Sequence, residues 1–258
     1  MKLTIKNRKN QNIAVLVEEA ENQKGLAFAM HGLSAYKEQP QLAVIAEAFR
    51  DNNYTVVRFD TTNTFGESDG NPEDATTTNY YEDLEDAVAW AGLQSWYQEP
   101  FYLAGQSLGG FSAGFYAENF PSKVGGVILQ SAMISGPLSL QNRKARSPEI
   151  VEEWQRTGWL STPSNSRPGL IKRLKWSHME DRIKHDLFPK AHALTMPVLM
   201  IFGDQDPGCP PEQQRMLYNI FPGKKEFHIV KGAPHDFTAS EHLEESKKVI
   251  DRWIQKLD

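Results

Sequence analysis

Apolar positions along the chain follow two rhythms. Runs in which nearly every residue is apolar predict short buried strands: "GLAFAM" (25–30), "YTVVRFD" (54–60), "PFYLAG" (100–105), "VGGVILQSA" (124–132) and "MPVLMIFGD" (196–204). "KEFHIV" (225–230) is the last of them. Between them the spacing turns helical. "EQPQLAVIAEAFRDN" places Leu42, Ile45, Ala46 and Phe49 on one side, and "TNYYEDLEDAVAWAGLQSW" does the same with Tyr80, Leu84, Ala87, Val88 and Ala91. "SEHLEESKKVIDRWIQKL" predicts a closing helix, and "KLTIKN" and "NIAVLVEE" around "RKNQ" predict an opening β-hairpin.

Strands apolar throughout, alternating with amphipathic helices, define an α/β class with a mostly parallel sheet covered on both faces. Ligands in such sheets bind at the carboxyl ends of the strands, so the loops beginning at His31, Thr61, Gln106, Ser131, Asp204 and Lys231 are the ones to inspect. The rhythm breaks from about Ile134 to Ala193, where no strand is evident and "WLSTPSNSRPG" reads as a loop. We expect residues 1–133 and 194–258 to form the core and 134–193 to fold over the sheet's carboxyl edge as a cap.

Composition narrows the classes. A chain of 258 residues buries a sizeable core, and its net charge of −5 lacks the basic footprint of a nucleic-acid binder. Residues 140–190 hold eleven Lys/Arg against six Asp/Glu, a local surplus suited to anionic or amphiphilic substrates, although a solvated helical face would also carry it. One cysteine, Cys209, permits no internal disulfide, and no stretch has the roughly 18 apolar residues of a membrane span. The longest apolar run near the N-terminus, Ile13 to Val17, is short for a signal peptide, and we expect a cytoplasmic protein.

The chemistry begins at Gly105-Gln106-Ser107-Leu108-Gly109, a G-x-S-x-G between a strand and a helix. So sharp a turn projects the serine hydroxyl outward, and side chains two residues to either side would collide across it. A serine hydroxyl needs an adjacent base. Of seven histidines, His235 in "KGAPHDF" follows the last strand, at the sheet's carboxyl edge. His228 lies inside that strand, where packing is the expected role, and His31 is expected to make a structural hydrogen bond. The base in turn needs a carboxylate, and "GDQDPGCPPEQQ" offers two. Asp206 is the choice, because Gly-x-x-Asp lets the chain leave its strand and turn inward; Asp204 stands as the alternative.

The order Ser107, Asp206, His235, with "GQSLGG", "HGLS", "FGDQDP" and "GAPHDF", resembles the α/β-hydrolase superfamily across nearly the whole chain. The resemblance implies an eight-stranded-type, mostly parallel sheet flanked by helices, with an inserted cap. It also implies an oxyanion hole made by the backbone amides of Leu33 and Leu108, and an architectural role for Gly66, Ser68 and Gly70 in "FDTTNTFGESDG". In layout the chain is similar to compact cap-bearing esterases, feruloyl-esterase-like and monoacylglycerol-lipase-like members included. It lacks an HGGG loop, and a serine at the elbow disfavours the aspartate-dependent dehalogenases and epoxide hydrolases.

The expected function is hydrolysis of small-molecule carboxylic esters of small, medium or aromatic acids through an acyl-enzyme, with no cofactor and no metal. A thioesterase or serine aminopeptidase would use the same three residues, and a non-catalytic ligand-binding member of the fold is the alternative from another class. Trp154, Trp159 and Trp176 are either pocket lining or the core of the cap. Oligomeric state is open.

Overall fold

A computed structural model describes residues 1–163 and 169–257. The opening hairpin, β1 (Lys2–Lys6) and β2 (Asn12–Glu18), pairs antiparallel with Ile5 opposite Ile13. β3 (Gly25–Met30), β4 (Tyr54–Phe59), β5 (Phe101–Gln106), β6 (Val124–Gln130), β9 (Val198–Gly203) and β10 (Lys225–Val230) then run parallel. They complete an eight-stranded sheet in the order β1-β2-β4-β3-β5-β6-β9-β10. Only the β1–β2 and β2–β4 pairings are antiparallel, so the sheet is mostly parallel.

Alternation along the strands sorts side chains to two cores. Ala27 and Ala29 of β3 face a layer made by α1 (Pro40–Asp51) and α8 (Ser240–Gln255), through Leu42, Ile45, Phe49, Ile250 and Trp253. Leu26, Phe28 and Met30 of the same strand face α2 (Thr77–Ala91) and α3 (Leu108–Asn119), through Tyr80, Leu84, Phe111 and Tyr116. Burying each such Leu or Phe contributes about 1.5–3 kcal/mol, which is why both faces must be covered. The α7 helix (Pro211–Ile220) starts on a proline, whose fixed φ suits a first helical turn, and adds Leu217 to the second layer. No helix among the described residues is long and apolar enough to cross a membrane.

Between β6 and β9 the chain forms α4 (Gly136–Arg146), α5 (Pro148–Thr157), β7 (Trp159–Pro163), β8 (Ile171–Lys175) and α6 (Trp176–Arg182). The strandless reading of this region is corrected: β7 and β8 pair antiparallel, with Leu160 opposite Leu174. One inward leucine per five-residue strand is too little alternation to register as a strand pattern. The expected loop "WLSTPSNSRPG" is therefore β7 over its first five residues. Residues 164–168 of that reading, with Arg167, lie outside the described residues.

The segment has a small core of Trp154, Leu160, Leu174 and Met179. It is fastened to the α2 side, where Asp181 accepts from the Thr78 amide at 3.0 Å and the Thr78 hydroxyl at 2.6 Å. Lys175 also pairs with Asp74, and His178 Nδ1–H donates to the Ala75 carbonyl at 2.9 Å. Its two ends lie together: the Gly136 amide donates to the His185 carbonyl at 2.8 Å, and the Leu187 amide to the Ile134 carbonyl at 3.0 Å.

Candidate active site

Ser107 occupies the single-residue turn between β5 and α3, with φ 54° and ψ −115°. A non-glycine residue held there costs about 1–3 kcal/mol and persists only where its surroundings hold it. Three hydrogen bonds do so. Its amide donates to the Gln130 carbonyl at 2.9 Å, and its carbonyl accepts from the Phe111 and Met133 amides at 3.1 Å each. The glycines permit the crossing: a Cβ on Gly105 would overlap the Gly109 backbone, and one on Gly109 would lie 2.5 Å from the His31 carbonyl oxygen.

His235, on the loop after β10, places Nε2 3.0 Å from Ser107 Oγ and Nδ1 2.7 Å from Asp206 Oδ2. An ionised carboxylate only accepts, so Nδ1 carries the proton and, in the neutral imidazole, Nε2 accepts from the serine hydroxyl. Asp206, on the loop after β9, is buried, and its Oδ1 accepts from the Gly208 and Cys209 amides at 2.8 and 3.1 Å. Burial alone would raise this carboxyl, but the bond to His235 and the two amides outweigh it and hold the group below the ordinary aspartate value. Burial would likewise lower His235, but Asp206 wins and raises the imidazole well above its usual value. The nearby Cys209 thiol is pushed up by burial, so it stays neutral and Asp206 is the charge that matters.

The loop after β3 packs against the turn that holds Ser107. Gly32 packs so close that a Cβ there would stand 3.1 Å from Ser107 Cβ. His31 Nε2 accepts from the Thr61 amide at 3.1 Å, which leaves the proton on Nδ1, and Nδ1–H donates to the Gly32 carbonyl at 2.8 Å. The Tyr80 hydroxyl donates to the same carbonyl at 3.1 Å. A trans peptide sends its N–H opposite to its C=O, so these two donors turn the Leu33 amide the other way. Leu108 opens α3, where a first-turn amide has no intrahelical acceptor.

Around Ser107 lies a cleft of about 310 Å³. One wall carries Leu33, Gln106 and His235; the segment between β6 and β9 adds Arg143, Lys172 and Arg182. Asp236 lines it too. Burial, reinforced by their mutual repulsion, lowers the pKa of Lys172 and takes Arg182 down to about 10.

Other sequence candidates fall elsewhere. Asp204 accepts from the Gly232 amide at 2.7 Å and makes no hydrogen bond to His235 among the described residues. His228 is half-exposed and pairs with Glu245 at 2.7 Å rather than packing in the core. Trp154 and Trp176 stack edge to face within the segment's own core, Arg173 covers the Trp159 ring, and none of the three lines the cleft. Ser68 takes the Ala14 amide and gives its hydroxyl to the Asp60 carbonyl, a loop-bracing role. Sequence reasoning missed the Tyr80 hydroxyl, since a tyrosine at a helix's apolar position reads as core. It saw the three cleft cations only as part of a regional surplus.

A family profile described as the alpha/beta hydrolase fold matches residues 29–167, more than half of the chain. The chain belongs to that family. Among solved structures it is similar to Est1E from Butyrivibrio proteoclasticus with ferulic acid bound, at 19% identity and TM-score 0.78, covering 99% of this chain and 98% of that one. It is also similar to the alpha/beta hydrolase domain-containing protein 10 from mouse, at 20% identity and TM-score 0.81 over 100% of both chains. No curated protein matches the sequence.

Proposed function

We propose that this family member is a serine carboxylesterase-type hydrolase, with Ser107 as nucleophile, His235 as general base and then acid, and Asp206 as the orienting carboxylate. The observation that carries the reading is the hydrogen-bonded line from Ser107 Oγ through His235 to Asp206, at 3.0 and 2.7 Å. As Oγ attacks the ester carbonyl, Nε2 takes its proton, and Asp206 stabilises the imidazolium. The carbonyl oxygen becomes an anion facing the amides of Leu33 and Leu108. Losing one such donor typically costs about 100- to 1,000-fold in turnover. Collapse expels the alcohol, which takes the proton from His235. Water repeats the cycle on the acyl-enzyme and releases the acid.

The cleft is near the lower end of the roughly 300–1,000 Å³ range of small-molecule sites, which favours a small or medium acyl group or an aromatic acid. The segment from about 134 to 193 acts as a cap, since it supplies Arg143, Lys172 and Arg182 to a cleft otherwise built from the core's loops. A serine aminopeptidase, which must hold a free amine, is disfavoured by those cations. A thioesterase shares the machinery, and a substrate panel separates the two. A fluorophosphonate probe is expected to form one covalent adduct, on Ser107. Ser107→Ala should abolish labelling and lower hydrolysis of short p-nitrophenyl esters by at least about 10⁴-fold while leaving the fold intact. Unchanged turnover in that variant ends the proposal.

A further inference from the structure

We propose that the cleft is built for an ester whose acyl or alcohol part carries a free carboxylate, seated on the cap side against Arg143, Lys172 and Arg182. This rests on the hydrolase reading for its chemistry, but not for its binding site. The three cations come from three different elements, α4, β8 and α6, and converge on the cleft that holds Ser107.

Their isolation is the first argument. Elsewhere in the chain cations near the interior are paired: Arg58 with Glu18 at 2.7 Å, and buried Lys37 with Asp60 at 2.8 Å. Among the described residues none of the three cleft cations forms an ion pair with a carboxylate. Arg182 Nη1 donates to the Ser139 hydroxyl at 3.1 Å, while its Nε is buried with no partner. Arg143 lies over the face of Trp154, at 5.5 Å. Asp236 is the carboxylate lining the cleft and its charge acts on Lys172, while Asp181, bound to Thr78 outside the cleft lining, acts on Arg182. Among the described lining residues, three cations against Asp236 leave a positive surplus.

The second argument is energetic. Removing a cation from water is unfavourable unless an anion or a set of acceptors compensates. Here the cations also repel one another, which lowers the pKa of both Lys172 and Arg182, yet Arg182 at about 10 stays charged at neutral pH. An arrangement that is unfavourable when empty and relieved by an anion is a preorganised anion site. The guanidinium groups that line the cleft offer planar, charge-assisted donors that match a carboxylate. The small volume then selects short molecules, such as monoesters of short dicarboxylic acids, with the ester at Ser107 and the free carboxylate against the cap.

The test compares 4-nitrophenyl hemisuccinate with neutral 4-nitrophenyl butyrate. Wild-type protein is expected to prefer the hemisuccinate in kcat/KM by about tenfold or more, the scale of one charge-assisted hydrogen bond. That ratio should shrink as salt is raised, and fall about tenfold in Arg182→Gln and in Lys172→Gln. Equal or reversed preference in wild type, or a ratio unmoved in both variants, overturns the anion site while leaving the esterase intact. Hydrolysis of neither ester counts against the hydrolase reading, and calorimetry then decides the site alone. Glutarate should bind Ser107→Ala at low salt and lose about tenfold in affinity when Lys172→Gln is added; absence of binding overturns the proposal. A phosphonate analogue binding more tightly than glutarate would overturn the carboxylate assignment in favour of a phosphate-bearing substrate.

Discussion

His235 is held between a desolvating pocket and a buried carboxylate, and the carboxylate prevails. The sign has two consequences. Only the neutral imidazole accepts the Ser107 proton, so kcat/KM should rise with pH and level off, with its midpoint above the ordinary histidine value of 6.5. A pH–rate profile checks this. For stability, the raised imidazole contributes fully below 6.5 and loses its contribution as pH climbs through the folded value. The lowered Asp206 contributes above the ordinary aspartate value and loses it as pH falls through its folded one. Asp206→Asn should cut kcat by about 10⁴-fold, the scale known for a triad aspartate, and move the midpoint down. Asp204→Asn, which removes only an acceptor for the Gly232 amide, should have a small effect; equal small losses in both variants would refute the assignment. At this scale the sequence was readable for side chains named by motif: Ser107, His235 and Asp206 meet as chain order suggested. It was silent on backbone direction, which the Tyr80 hydroxyl and His31 impose on the Gly32 carbonyl from distant elements.

The turn between β5 and α3 shows what a whole element contributes. Its positive φ is maintained by bonds to the end of β6 and to the first turn of α3, and by two glycines that let backbone cross backbone. Gly109→Ala would force its Cβ to within 2.5 Å of the His31 carbonyl oxygen, an atom that cannot rotate away. We expect a loss of about 1–3 kcal/mol in chemical denaturation, with activity falling further than stability, because the shift falls between Ser107 and the loop after β3. An unaltered midpoint with wild-type turnover would show that the crossing has slack. Strands β3, β4, β5, β6 and β9 were legible because they are buried on both faces and so read as apolar runs, whereas edge strand β10 is only partly buried. The β7–β8 hairpin was not, since Ile171, Lys172 and Arg173 leave Leu174 as the single buried residue of β8. Its charged composition is the very property that supplies Lys172 to the cleft.

Across the whole molecule, one group is stored at a cost unrelated to the cleft. Glu118 of α3 is buried, and neither carboxyl oxygen has a partner among the described residues. Burial pushes its pKa up to about 9, against a partial opposing effect of Lys190. A raised acid favours the folded state fully below its ordinary value of 4.5 and penalises it progressively as pH rises toward 9. Glu118→Gln should therefore leave the melting temperature unchanged near pH 4.5 and raise it at pH 8, by an equivalent of about 1–3 kcal/mol. A pH-independent difference would show that the carboxyl is already solvated. No sequence pattern flags such a residue, because burial of a helix's polar position depends on what the crossover to β9 lays over it.

The rungs between Ile134 and Leu187 and between Gly136 and His185 close the segment between β6 and β9 at its base like the neck of a purse. The path of the chain into β9, and so toward Asp206, is thereby set by backbone bonds that do not depend on the side chains between them. Libraries confined to residues 137–184, sparing the anchors Asn142, Lys175, His178 and Asp181, are therefore expected to change what the cleft accepts while the loops carrying Ser107, Asp206 and His235 stay in place.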